Sequence, residues 1–279
     1  MMIPLRPEVR ERPAPPARLR RPGKGGMVLG LIAALLVVHA VSAGAVVSPA
    51  TLFTGLGRTG EFVGSAFPPD LDRVSSIGWA MLETFEIALI GTALGVLLSV
   101  PLAVLAARNT SPHLLVYGAT RGLIAFLRSV PDLVWGLVFV VTVGLGPEAG
   151  VLAIAVDTAG FCGRFFADRF EDVDNDLVES LTTTGASRTA VLASAVVPSL
   201  APAFVGISMF ALEMATRSSV VLGVVGAGGI GVELTTSMQL LRYDEALTII
   251  LFIFVVVMAV ERLSAAVRHK LGVQGDVAF

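Results

Sequence analysis

Residues 179–198 read ESLTTTGASRTAVLASAVVP. The stretch lies between two apolar runs, 150–166 and 200–215, yet it is polar and amphipathic. Glu179 opens it, Gly185 follows six residues later with Ala186-Ser187 behind it, and Val197-Pro198 closes it. An acidic approach of Glu171, Asp172, Asp174 and Asp176 precedes it, with Asp174 or Asn175 placed to cap a helix. The pattern predicts two short helices with a bend at Gly185, where a missing side chain lets another surface come close. Pro198 suits the first turn of the next helix. The plainer reading is a solvated loop between helices. The sharper one is a docking surface offered outside the membrane.

Outward from this segment the chain is made for lipid. Of its 279 residues 54% are hydrophobic and only 15% are charged, with a mean hydropathy of +0.82. Soluble domains carry about 25% charged residues. Apolar runs occupy 27–47, 79–107, 121–145, 150–166, 200–215 and 243–260, which predicts an all-α membrane protein of about six transmembrane helices. The first run exceeds a signal-peptide core and more spans follow, so it reads as an uncleaved anchor. Residues 48–78, turn-rich around Phe67-Pro68-Pro69-Asp70-Leu71-Asp72, read as an extracytoplasmic loop or surface helix. The third run is interrupted by Arg128-Ser129-Val130-Pro131-Asp132, and Gly146-Pro147 marks a tight turn.

The expected organisation is a basic Pro-rich tail over 1–26, a first span over 27–47, the loop over 48–78, a core over 79–263 with a polar loop at 168–194, and a tail over 264–279. Basic residues fix the orientation. With the N-terminus inside, the arginine-rich tail falls there together with Arg108, Arg164, Arg169, Arg188, Arg262, Arg268 and Lys270. Arg58, Arg73, Arg217 and Arg242 fall outside or at the outer edge. Both termini are therefore expected in the cytoplasm, and the tail's composition predicts disorder.

Several function classes are excluded or disfavoured. The net charge of −2 gives no field for nucleic acid. One cysteine, Cys162, and three scattered histidines, His39, His113 and His269, make a Cys/His metal site and a disulfide framework untenable. No HExxH or GxSxG occurs, and neither a nucleophile–base pair nor a resident cofactor is expected. The only lysines, Lys24 and Lys270, lie outside any Gly-Lys-Ser/Thr phosphate loop, so an ATP-driven process would need a separate ATPase. Gly226-Ala227-Gly228-Gly229-Ile230-Gly231 is a literal GxGxxG, but an apolar span rather than a strand precedes it. Gly226, Gly228, Gly229 and Gly231 then mark either close helix packing or a gate-lining turn with exposed N–H groups.

Charges at membrane depth need a cavity or a partner. Arg128, Asp132, Asp157, Glu213 and Arg217 qualify, and Glu213 and Arg217 stand four apart on one helix face. They could be internal ion pairs, the lining of an anion path, or, for Asp157 and Glu213, a proton relay in an ion-coupled transporter. A membrane scaffold without a path is the weakest reading.

The chain resembles the permease subunit of bacterial phosphonate ABC importers, within the wider methionine-permease-like superfamily. The matching pieces are Phe67–Asp72, Arg128-Ser129-Val130-Pro131-Asp132-Leu133-Val134-Trp135, Gly144-Leu145-Gly146-Pro147-Glu148-Ala149-Gly150, the Glu179/Gly185/Pro198 loop, Glu213 with Arg217, and residues 221–231. Where the family loop usually reads Glu-Ala-Ala, this chain has Glu179-Ser180-Leu181. The resemblance implies a type I importer permease in the bacterial inner membrane. Its partners would be two ABC ATPase subunits, a second permease chain, identical or paralogous, and an extracytoplasmic binding protein that delivers a phosphonate or related oxyanion. It further implies that Glu179, Gly185, Ala186, Ser187 and Pro198 couple to the ATPase. Arg128, Arg217 and the glycine-turn amides would compensate the anion's charge.

Overall fold

The structure is a computed structural model that describes residues 24–42, 49–173, 183, 185, 187, 194 and 197–271. The described elements are helices: α1 (Lys24–Ser42), α2 (Pro49–Ala66), α3 (Val74–Ala106), α4 (Leu114–Ser129), α5 (Asp132–Val143), α6 (Pro147–Glu171), α7 (Val197–Val224), α8 (Ile230–Gln239) and α9 (Tyr243–Lys270). Two compact units divide the chain, Met1–Gly60 and Glu61–Phe279. The first holds α1, whose apolar part is the short stretch Gly30–His39, and the start of α2. Of the basic tail expected over 1–26, residues 1–23 lie outside the described residues and Lys24–Gly26 begin α1.

In the second unit α3, α6, α7 and α9 are each long and apolar enough to cross a membrane. The bent pair α4 and α5 makes a fifth crossing if counted as one. The expected first span over 27–47 corresponds to α1, in which Gly30–His39 counts as a shorter apolar helix among the described residues. The run 121–145, expected as one interrupted span, is two helices meeting at 90°. The cause is local. Val130 precedes a proline and is extended (φ −91°, ψ 119°), and Pro131 has no N–H to continue the helix. Asp132 starts the new helix with its Oδ1 accepting from Leu133 N at 2.8 Å. The expected loop at 48–78 contains α2 and the first turn of α3.

The core is the crossing of α3 and α6. On α3 the buried positions Thr84, Ala88, Gly91, Thr92, Gly95, Ser99 and Ala103 recur at helical spacing and are almost all small. They face the buried stripe Ala149, Gly150, Ala153, Ile154, Ala155, Thr158, Ala159 on α6. Lipid gives no hydrophobic drive between helices, so van der Waals contact at close approach must hold them. A Cβ at Gly91 would stand 2.8 Å from Ile154 Cβ, and one at Gly95 would stand 2.5 Å from Thr158 Cβ and 2.7 Å from the Ala155 carbonyl.

The bundle has two tied ends. At the end where α6 terminates, Arg108 N donates to Glu171 Oε1 at 2.8 Å and Arg121 Nε to Ala106 O at 2.8 Å. Phe204 of α7 stacks there on Phe166 and meets Phe170, with centroids 4.2 and 5.3 Å apart. At the opposite end Gly146 N donates to Gly226 O at 3.1 Å, and Thr248 Oγ1 donates to Asp70 O at 2.6 Å. Arg73 clamps that end by pairing with buried Glu245 on α9 and, at 3.1 Å, with Glu233 on α8.

Gly95→Val tests the crossing. Overpacking against backbone is expected to cost about 1–3 kcal/mol, read as a lower unfolding midpoint in detergent. Gly118→Ala, on exposed α4 surface with nothing within 4 Å, should leave the midpoint unchanged or slightly raised.

Candidate functional site

The polar loop is only partly described. Glu179 and Ala186 lie outside the described residues. Gly185 has φ +86° and open space around its missing side chain, and Ser187 is exposed. Pro198 sits exposed in the first turn of α7. The positive φ at Gly185 is a conformation that a residue with a Cβ adopts only under strain. Of the acidic approach, Glu171 is tied to Arg121 at 3.0 Å and Asp172 lies 3.9 Å from Arg169.

The elbow between α4 and α5 carries the next group. Arg128 occupies the last turn of α4, exposed, with its guanidinium 5.7 Å from the centre of the Phe165 ring. Gly160 on α6 is what lets it approach, because a Cβ there would stand 2.9 Å from Leu127 Cβ and 3.2 Å from Arg128 Cγ. Asp157, one turn earlier on α6, lies within Coulombic reach of both Asp132 and Arg128. Thus Arg128, Asp132 and Asp157, read separately from the sequence, form one neighbourhood level with the middle of α6.

Glu213 and Arg217 form a second, separately tied group. Glu213 is buried and its Oε1 accepts from Arg217 Nη2 at 2.8 Å. Two residues of α9 complete a quartet: Arg268 at 3.6 Å from Glu213 and Glu261 at 3.4 Å from Arg217. This geometry is a helix-to-helix tie in which each carboxylate meets a guanidinium. It also corrects the position expected for Arg217. Its partner Glu261 adjoins Arg262, so Arg217 lies towards the basic C-terminal half of α9 and not with Arg73 and Arg242.

The glycine turn packs. Gly226, Gly228 and Gly229 have φ of +89°, +82° and +75°. Gly226 N donates to Gly223 O, Ala227 N to Leu222 O, Gly229 N to Glu83 Oε1 at 3.2 Å and Ile230 N to Thr84 Oγ1 at 2.7 Å. A Cβ on Gly231 would stand 2.1 Å from Val220 O. Of the two readings of this segment, these contacts describe close packing between α7, α8 and α3. The amides of Gly226 and Gly229, offered as anion donors, are engaged within the fold.

Sequence reading missed the partners of these residues. Glu83 and Thr84 receive the glycine turn, and nothing in their local pattern announces it. Arg73, Glu233 and Glu245 converge from three elements far apart in the chain. Arg121 and Arg128, by contrast, stand seven apart on one helix, two turns on the same face, a signal that was available.

A family model for binding-protein-dependent transport system inner membrane components matches residues 99–271. The chain is 40% identical over 218 residues to the phosphite transport system permease protein PtxC of Stutzerimonas stutzeri, covering 78% of this chain and 79% of that one. It is 38% identical over 255 residues to the phosphate-import permease protein PhnE of Mycolicibacterium smegmatis, covering 91% of this chain and 47% of the longer relative. Among solved structures, an inward-facing form of the MetNI methionine ABC transporter matches with a TM-score of 0.63 at 19% identity, over 72% of this chain and 99% of that one. The fold is that of a type I ABC-importer permease, and the chain belongs to the family of binding-protein-dependent transport system inner membrane components.

Proposed function

We propose that this chain is the transmembrane subunit of an importer that moves phosphite, a phosphonate or a related phosphorus oxyanion. ATP is hydrolysed on a separate ATPase. The observation that carries this reading is the 40% identity to a phosphite permease across nearly four-fifths of both chains. The absence of a phosphate-loop lysine supports an external motor. The loop around Gly185 is the surface on which that motor docks, at the end of the bundle where α6 terminates, which we place in the cytoplasm of a bacterial inner membrane. A second permease chain, identical or paralogous, completes the path, and a binding protein delivers the anion from the other side.

The mechanism follows from a two-state bundle. Nucleotide-driven movement of the ATPases shifts the loop, and the loop ends in α6 and α7, both in the core. The α3–α6 crossing is close-packed and resists deformation, so the displacement passes on as rigid helix movement. A ligand or motor biases such an equilibrium only through different contacts in its two states. The ion-coupled alternative through Asp157 and Glu213 has less support. Glu213 is held between Arg217 and Arg268 and is not presented as a free proton carrier.

A strain carrying this gene with its ATPase and binding protein should grow on phosphite or a phosphonate as sole phosphorus source, and a deletion strain should not. Equal growth of the two would refute the substrate class.

Gly185→Val should leave membrane insertion intact and reduce co-purification of the ATPase roughly ten-fold, because a Cβ is strained at φ +86°. Unchanged co-purification would move the docking surface elsewhere.

Glu213→Gln should cost about 2 kcal/mol of stability, leaving Arg268 and Arg217 without their shared carboxylate. Its remaining uptake should still depend on ATP. A proton relay would instead show a stable protein without uptake.

A further inference from the structure

Along the outer side of the α4–α6 contact runs a cavity of about 410 Å³ lined by Arg121, Ile124, Ala125, Arg128, Ser129 and Arg164. Three of its six lining residues are arginines. Arg121 and Arg128 lie two turns apart on α4, roughly 10 Å along the axis, and Arg164 stands between them from α6, one turn beyond Gly160. The guanidiniums therefore descend in steps from the middle of the bundle to the end where α6 terminates.

The three are not equivalent. Arg121 is locked to Asp168 at 3.1 Å and to Glu171 at 3.0 Å. Arg164 uses Nε for Asp168 at 2.9 Å, which leaves its two Nη groups outside that pair. Arg128, deepest and exposed, has no ion pair among the described residues and rests on the Phe165 ring. An exposed arginine at that depth is costly against hydrocarbon and belongs on a water-filled cavity or a neighbouring chain. The negative group within Coulombic reach of Arg128 is Asp157, from α6, which also lies within reach of Asp132 at the start of α5. Asp157 moderates its field, as a transit site requires, because an anion bound too tightly at one station does not leave.

We propose that this groove is a transit station for the oxyanion, with Arg128 and Arg164 as the contacts that hold it and Arg121 as the fixed charge at its exit. The assignment rests on the reading of the chain as a phosphorus-oxyanion permease. The oxygens of a tetrahedral oxyanion meet guanidinium N–H groups in charge-assisted pairs, the geometry for which arginine is suited over lysine. Ser129 lines the groove without donating into it, since its hydroxyl already donates to Phe126 O at 2.9 Å. A lipid phosphate headgroup carries the same chemistry, and the two sources differ in whether free phosphite or added anionic lipid occupies the groove.

The test uses the transporter assembled with its ATPase and its binding protein in phosphatidylcholine vesicles and phosphite as the probe. Arg164→Gln should lower phosphite uptake roughly ten-fold or more, and Arg164→Lys should recover part of it. A second readout does not depend on turnover. The only native thiol, Cys162, is buried, so Ala125→Cys offers one accessible thiol in the groove. It should react faster with an anionic methanethiosulfonate than with a cationic one, and phosphite should slow the reaction several-fold. Wild-type uptake of phosphite with neither protection at Ala125→Cys nor a loss in Arg164→Gln would overturn the station and leave the permease reading standing. No phosphite uptake by the wild type would remove both. Protection that follows added phosphatidylglycerol and not phosphite would assign the groove to lipid and overturn the transit role.

Discussion

The backbone-to-backbone approach of α3 and α6 at Gly91 and Gly95 is the constraint on which the rest depends. In a membrane, apolar side chains gain nothing by leaving lipid for one another, so helices associate through contact area and satisfied polar groups. Small residues on facing stripes bring α3 and α6 together. That approach fixes the position of Gly160 and Arg164 on α6, and therefore the seat of α4. It fixes Glu83 and Thr84 on α3, and therefore the seat of the glycine turn.

Charge is distributed on this frame by position. At one end, Arg73 meets Glu233 and Glu245. At the other, Arg121 and Arg164 meet Asp168 and Glu171. The Glu213–Arg217 pair is closed by Glu261 and Arg268. These groups are matched, as ionised side chains in a membrane protein must be. Arg128 has no ion pair among the described residues and is held by the Phe165 ring, with the Asp157 carboxylate at longer range. An incompletely neutralised guanidinium at mid-depth is costly against lipid, and the proposed passage for anions would give it a use.

Much of this was legible in the sequence. Apolar runs gave α3, α6, α7 and α9 because a long window of low charge has few other solutions. Arg128-Ser129-Val130-Pro131-Asp132 announced an interruption, although a proline marks where a helix stops and does not give the 90° angle that packing sets. The Glu213–Arg217 pair was readable from its spacing, whereas Glu261 and Arg268 were not, since they arrive from another helix. The GxGxxG turn was rejected as a dinucleotide site for lack of a strand, yet its packing role needed the positions of Glu83 and Thr84. Gly185 has a positive φ, and the two short helices expected on either side of it lie mostly outside the described residues. The level of Arg217 was misread because its sequence position near the end of α7 does not reveal how far α9 is offset against it.

The central claim, a path for a phosphorus oxyanion worked by an external ATPase, is tested most directly by labelled phosphite uptake into proteoliposomes that hold the permease, its ATPase and its binding protein. The expected result is accumulation that requires ATP at the ATPase face and survives a protonophore. Accumulation driven by a proton gradient without ATP would contradict it.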